Sequence, residues 1–372
     1  MCAARHTPPF RADHVGSLIR PRALIEARQR VDAGQEVREA LRALEDAAIR
    51  EAVAMQERVG LQAITDGELR RFSWRDGFFE SVDGFSHDRV ESSFTFTEFS
   101  GERRRGMPVP VVVGKLARRK RITADDFAFL RPLTTQTAKA TLPSPTVNHF
   151  FSGDKSLEGS PYQGDRQAFF ADVVAIYRQE IADLAAEGCR YLQIDEVPFA
   201  VLCDPRNREV VRARGEDPQA LIRDYVAVIN AVVQDRPAGM TICVHHCRGN
   251  SGHGQASGGY EPIAEQVFGG LGVDGFFLEY DTERAGGFEP LRFVPQDKVV
   301  VLGLLSTKVR ELEPPDTIKR RIDEASSYVP LERLCLSPQC GFASSYATDR
   351  LTPEDEERKL AHLVQLAHEV WG

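Results

Sequence analysis

Residues 166–197, RQAFFADVVAIYRQEIADLAAEGCRYLQIDEV, hold both halves of a repeating unit. In 166–187, Phe169, Phe170, Val173, Val174, Tyr177, Ile181 and Leu184 recur at three- and four-residue steps, the spacing of one helix face. Gly188 follows as a C-terminal stop. Residues 191–197 then form a short apolar run that ends in Asp195 and Glu196, which predicts a strand. Working outward, further strand-like runs occupy 14–18, 63–68, 109–116, 140–146, 241–247, 275–280, 298–306 and 334–340, with helical patterns between most of them. The last helix is expected over 353–370, where Thr352 is a hydroxyl N-cap and Pro353 takes the first helical position.

Repeated strand–helix units predict a parallel sheet. Nine runs are one more than an eight-stranded barrel needs. The outsider is 109–116, because it follows the irregular stretch 80–108, where Phe94 and Phe96 alternate with threonines as in an inserted hairpin. The expectation is an α/β protein, a single (β/α)8 barrel over 1–372 with a hairpin inserted near 80–110. A doubly wound open sheet is the alternative.

The 372 residues are 42% hydrophobic and carry a net charge of −8. That charge argues against general nucleic-acid binding, and the runs Arg103–Arg105 and Arg118–Arg121 read as solvated surface. No apolar run approaches the roughly 20 residues of a membrane helix, and the first residues lack the apolar core of a signal peptide. Seven scattered cysteines do not read as a disulfide framework, so a cytoplasmic location is expected. Cys189 and Cys335 sit in apolar stretches and read as core.

Barrel active sites lie at the carboxyl ends of the strands. Ser17, Glu68, Asp195, Glu196, His245, Cys247, Glu279, Ser306 and Cys340 all fall at or just past such ends. Four of these are candidate metal ligands: His245 and Cys247, one pleat apart on the same strand face, with Glu279 and Cys340. His246 points to the opposite face and Cys243 lies deeper, so both read as packed residues. An imidazole, two thiolates and a carboxylate suit a borderline ion such as Zn²⁺. The site's net charge near −1 disfavours water activation but still lowers the pKa of a substrate thiol below about 8.5. The chemistry expected is alkyl or methyl transfer to sulfur. Glu68 and Asp195 could pair with the ammonium of an amino-acid thiol, and the Gly16–Ser17 turn offers donors to its carboxylate.

In order along the chain, His-Val-Gly-Ser at 14–17, Asp-Gly-Glu at 66–68, Gln-Ile-Asp-Glu at 193–196, His-x-Cys at 245–247, Glu279 and Pro-Gln-Cys-Gly at 338–341 resemble the cobalamin-independent methionine synthases. The likeness is to their C-terminal catalytic barrel, particularly its short stand-alone homologues. The resemblance implies zinc ligands at His245, Cys247, Glu279 and Cys340. It implies homocysteine contacts at Ser17, Glu68 and Asp195, with the backbone around Val15 and Gly16. It also implies methyl transfer from a donor such as a methyltetrahydrofolate to form methionine.

The chain departs from the family in three ways. It has no room for the duplicated N-terminal barrel. Leu305 stands where the family has a histidine thought to protonate the leaving folate, which leaves nearby Lys308 as the candidate catalytic group. No clear counterpart of the pterin-stacking tryptophan follows residue 140, where His149, Phe150 or Phe151 offer the flat surfaces. The glycine-rich loop 249–259, with His253, suits a covering loop.

Two other readings compete. In one, a similar metal barrel opens epoxides or moves alkyl groups to another small thiol, held by Lys308, Arg310 or Arg20. In the other, the zinc is structural and a Phe94–Phe99 hairpin binds a partner protein. The partners expected are a small thiol and a methyl donor, with no nucleic acid or membrane; the sequence leaves the oligomeric state open.

Overall fold

The computed structural model describes residues 5–97, 103–105, 108–250, 256–346 and 351–372. Its strands are β1 (Ala63–Ile64), β2 (Val82–Val90), β3 (Thr95–Thr97), β4 (Arg103–Arg105), β5 (Val109–Arg118), β6 (Thr137–Pro143), β7 (Tyr191–Glu196), β8 (Thr241–His246), β9 (Gly275–Glu279), β10 (Val299–Leu305) and β11 (Leu334–Pro338). One sheet runs in the order β1-β6-β7-β8-β9-β10-β11, and every pairing in it is parallel. Parallel neighbours need crossover connections. Helices covering the outside leave β7, β9, β10 and β11 buried at every residue.

The eighth position of the ring is filled without a ladder. The strand expected over 14–18 is absent, and one parallel bridge, Ala12 to Leu336, joins this segment to β11. Asp13 N donates to Leu336 O at 3.0 Å and Leu336 N to Arg11 O at 2.9 Å. On the β1 side, Thr65 Oγ1 donates to Gly16 O (2.7 Å) and Leu18 N to Gly67 O (3.0 Å). The physical reason is that side chains take the backbone groups a ladder would use. Asp13 accepts from Phe10 N and His14 N, Lys139 Nζ donates to His14 O, and Gln193 Nε2 donates to Val15 O. Gly16, at φ +134°, also leaves the ordinary strand region.

Inside the barrel, Phe10, Val15, Ala63, Tyr191, Cys243, Phe277, Val299, Val301 and Cys335 form their own buried cluster. Beside it Lys139 Nζ meets Asp13 Oδ1 at 3.1 Å, and the Tyr191 hydroxyl donates to Asp13 Oδ2 at 2.8 Å. The core roles read for Cys189, Cys243 and Cys335 hold, since all three are buried.

The outlying run is β5, which pairs antiparallel with β2 outside the barrel, and β3 pairs with β4 as a hairpin. Phe94, read as part of an exposed contact surface, is buried. Its ring stacks on Phe150 with centroids 4.4 Å apart, because the apolar wall of the barrel offers it more contact than water does. Phe99 lies outside the described residues.

The helix expected over 166–187 spans Arg166–Ala186, capped by Asp165, and buries Phe169, Phe170, Val173, Tyr177, Ile181 and Leu184. The final helix spans Pro353–Trp371 behind a Thr352–Asp355 capping box. Among the described residues, no helix is long and apolar enough to cross a membrane. Arg118 and Arg121 of the second basic run are engaged by Glu180, Asp183 and Glu187.

Candidate active site

Four ligand-bearing side chains converge at the carboxyl end of the sheet. His245 leaves β8 on its inward face, and Cys247 follows on the same face. Glu279 ends β9, and Cys340 lies two residues past β11. A ligand atom from each of His245, Cys247, Glu279 and Cys340 lies within 4.8 Å of the others. The sulfurs of Cys247 and Cys340 are 3.6 Å apart.

The surroundings leave these atoms ready to ligate. Neither ring nitrogen of His245 has a hydrogen-bond partner, and Glu279 Oε2 has none. Glu279 Oε1 is held by Arg248 N at 2.8 Å, which fixes the carboxylate's orientation. Burial pushes the His245 imidazole down to about 3, so it is neutral, the form that binds a metal. Burial raises the Glu279 carboxyl to about 7. The Cys247 thiol is raised by its hydrogen bond with Cys340, by burial, and by the charges of Cys340 and Glu279. Bare, Cys247 and Glu279 resist taking up negative charge. A divalent cation between them would offset that resistance and accept the neutral imidazole as a ligand, so the residues present fit one.

A second group, His149, Asp154 and Glu216, also lies within ligand distance. Its carboxylates already face arginines: Arg166 donates to both oxygens of Asp154 at 2.8 Å and to Glu216 Oε1, and Arg214 Nε lies 3.3 Å from Glu216 Oε2. That cluster is an ion-pair network fastening the 147–154 turn.

Beside the four ligands opens a cleft of about 750 Å³, counted out to its mouth. Val15, Ser17, Glu68 and Asp195 line it together with His245, Cys247 and Cys340. Gly16 sits between two of these; a Cβ there would come within 2.8 Å of Thr141 Cγ2. Gly341 approaches Ser17 more closely still, since a Cβ at Gly341 would lie 1.9 Å from Ser17 Oγ.

Glu68 follows a left-handed glycine and is itself at φ +58°. Thr141 Oγ1 donates to its Oε1 at 2.9 Å, while Oε2 is buried without a hydrogen-bond partner. Asp195 accepts from Gln193 Nε2 at 2.7 Å, and its carboxyl is held well above the usual range by burial and then by the charge of Glu68. Two buried carboxylates facing one space, with an oxygen unmatched, make a receptor for a cationic group.

Other expected residues are placed differently. Lys308 is buried, donates to Asn250 Oδ1 and to Thr307 Oγ1 (2.9 Å), and does not line the cleft. Arg20 donates to the carbonyls of Ala343, Glu68 and Arg71, and Arg310 pairs with Asp355 on the surface. Leu305 is fully buried. Glu196 lies behind the cleft, accepting from Phe199 N and Thr146 Oγ1. His246 packs among Phe199, Tyr260, Phe268 and Phe276, as its strand parity requires. Of the three aromatic candidates after residue 140, Phe151 lines the cleft; His149 and Phe150 are buried behind it. His253 lies outside the described residues.

Sequence reasoning missed Trp74, Arg75 and Asn250, which also line the cleft. Their signal was position: Trp74 and Arg75 follow Asp66-Gly67-Glu68 closely, and Asn250 follows His-x-Cys.

Fold and side-chain cluster together define a barrel with two cysteines, a histidine and a glutamate able to hold a metal ion at its carboxyl end. The chain belongs to the cobalamin-independent synthase family, whose catalytic-domain model matches residues 10–368. It is thereby a member of a methyltransferase family. The uncharacterized protein YxjH of Bacillus subtilis is 42% identical over 366 residues, 98% of this chain and 95% of that protein. The 5-methyltetrahydropteroyltriglutamate–homocysteine methyltransferase of Klebsiella pneumoniae is 25% identical over 315 residues, 83% of this chain and 36% of that protein. A crystal structure from Listeria monocytogenes, described as a candidate vitamin-B12 independent methionine synthase, superposes with a TM-score of 0.77. It is 35% identical, and the match covers 99% of this chain and 100% of that one.

Proposed function

We propose that this chain is a zinc-dependent S-methyltransferase that converts homocysteine to methionine, with a donor of the 5-methyltetrahydrofolate type. The observation that carries the reading is the shared cleft: of four candidate ligands within 4.8 Å of one another, His245, Cys247 and Cys340 open onto the same space as Glu68 and Asp195, with Glu279 buried behind them. Zinc held by His245, Cys247, Glu279 and Cys340 would supply the positive charge that keeps a substrate thiol deprotonated at neutral pH.

The remaining work belongs to the chain's own residues. Glu68 and Asp195 receive the substrate ammonium, and the Ser17 hydroxyl with the backbone around Val15 and Gly16 receives its carboxylate. These contacts fix the amino acid at both ends of its α-carbon and aim its sulfur at the ligand cluster. The buried walls exclude water, which would otherwise solvate the sulfur and blunt its attack. In the transfer, the sulfur–carbon bond forms as the bond from the methyl carbon to the donor nitrogen breaks, and that nitrogen takes up one proton from solvent, replacing the one the thiol released to solvent. Leu305 has no proton to give, and we assign Lys308 a positioning role: it holds Asn250, whose Nδ2 donates to Gly341 O at 2.9 Å beside Cys340.

The test is to load the purified protein with zinc, add homocysteine and 5-methyltetrahydrofolate, and detect methionine by mass spectrometry. Binding of homocysteine through sulfur is read separately by X-ray absorption at the zinc edge. Homocysteine that binds without a zinc–sulfur signal refutes the reading.

A further inference from the structure

The thiol half of the cleft leaves one wall unused. Trp74, Arg75, Phe151 and Ser344 also line the space. Arg75 is 1% exposed, yet among the described residues its only hydrogen bond runs from Nη2 to the carbonyl of Pro108 at 2.7 Å, and its Nε has no partner there. Among the described residues, no carboxylate lies within ion-pair distance of it. The adjacent Asp76 is engaged by Ser73 Oγ at 2.7 Å.

The nearby arginines are matched. Arg70 pairs with Asp46 and Asp126, Arg28 with Glu45, and Arg71 faces Glu68 at 3.9 Å. Burial, only partly offset by Asp76, draws the Arg75 guanidinium down to about 10. A buried cation with no counter-charge among the described residues, facing a cleft, is an arrangement that an anion from outside completes.

The position is also rigid. Trp74 N donates to Ser344 O at 3.0 Å and Tyr346 N to Phe72 O at 3.1 Å, so the turn carrying Arg75 is fastened to the loop that follows Cys340. Trp74 and Phe151 offer aromatic surface in the same cleft.

We infer that Arg75 anchors an oxyanion, a carboxylate or phosphate, of the electrophilic co-substrate, whose apolar body packs on Trp74 and Phe151. This rests on the thiol-transfer reading above. There the amino-acid thiol's ammonium goes to Glu68 and Asp195 and its carboxylate to Ser17, so the thiol leaves Arg75 unmatched.

The test uses zinc-loaded full-length protein saturated with homocysteine, titrated with benzoate and with its neutral isostere benzamide. Wild type should bind benzoate at least about tenfold more tightly, the scale of one charge-assisted hydrogen bond. Arg75→Gln should erase that preference and Arg75→Lys should keep part of it, while both bind homocysteine within about twofold of wild type. Equal binding of the two probes by wild type, or an undiminished preference in Arg75→Gln, overturns the assignment. Homocysteine affinity that falls with Arg75→Gln while the Lys variant keeps it places the thiol's own carboxylate on Arg75, and likewise overturns it. A wild type that binds homocysteine without a zinc–sulfur signal refutes the proposed function instead, so the two failures are distinguishable.

Discussion

Cys247 and Cys340 are 93 residues apart in the chain, and their sulfurs are 3.6 Å apart in the fold. Each thiol is a small apolar side chain on its own strand end. Together with His245 and Glu279 they form one group of side chains able to hold a metal ion.

Cys340→Ala should therefore lower zinc affinity by more than the roughly 10–100-fold typical of losing an outer-shell partner. Competition with a chromophoric chelator measures it. Unchanged affinity and stoichiometry would mean that Cys340 is not a ligand.

Glu68→Gln keeps the side chain's shape and removes its charge. Homocysteine affinity should fall by about tenfold or more, the scale of a charge-assisted hydrogen bond, with zinc content unchanged. Titration calorimetry on the zinc-loaded variant reads both. Wild-type affinity would show that the ammonium is held elsewhere.

Gly341→Ala forces a methyl to within 1.9 Å of Ser17 Oγ. Overpacking of this kind costs about 1–3 kcal/mol. Denaturant unfolding should show that loss, and the double variant Gly341→Ala with Ser17→Ala should recover most of it. Additive losses in the double variant would rule out the clash as the cause.

His14 is fully buried in the segment that closes the barrel, its Nε2 3.0 Å from Ala63 O. Burial first, and Lys139 second, draw its imidazole down to about 4, against opposition from Asp13. The unfolded chain, near 6.5, therefore takes up a proton before the folded one does. Stability from this group is complete above about pH 6.5 and is lost as pH falls through 6.5 towards 4, by about 3 kcal/mol at most. Unfolding free energies across that window should flatten in His14→Gln. An identical pH slope in the variant would remove His14 as the cause.

The convergence of His245, Cys247, Glu279 and Cys340 was legible because strand parity is strict. His245 and Cys247 had to share a face, and a barrel brings separate strand ends to one mouth whatever lies between them. The helix ending at Ala186 was equally plain, its period and its following glycine agreeing. Residues 14–18 misled because their apolar run looks extended, while Asp13, Lys139 and Gln193, scattered through the sequence, claim the backbone groups that a ladder needs. Trp74 and Arg75 have no periodicity to betray them. Their place in the cleft depends on the turn's attachment to Ser344 and Tyr346, a contact that spans most of the chain.

Glu68 has the one non-glycine backbone among the described residues with positive φ. A conformation of that kind stores about 1–3 kcal/mol, and here it sits on the carboxylate proposed to greet the substrate. Laboratory evolution selecting only for heat resistance should thus drift towards glycine or asparagine at this position, gaining degrees of melting temperature while discarding recognition. Durability and selectivity pull in opposite directions at a single peptide unit.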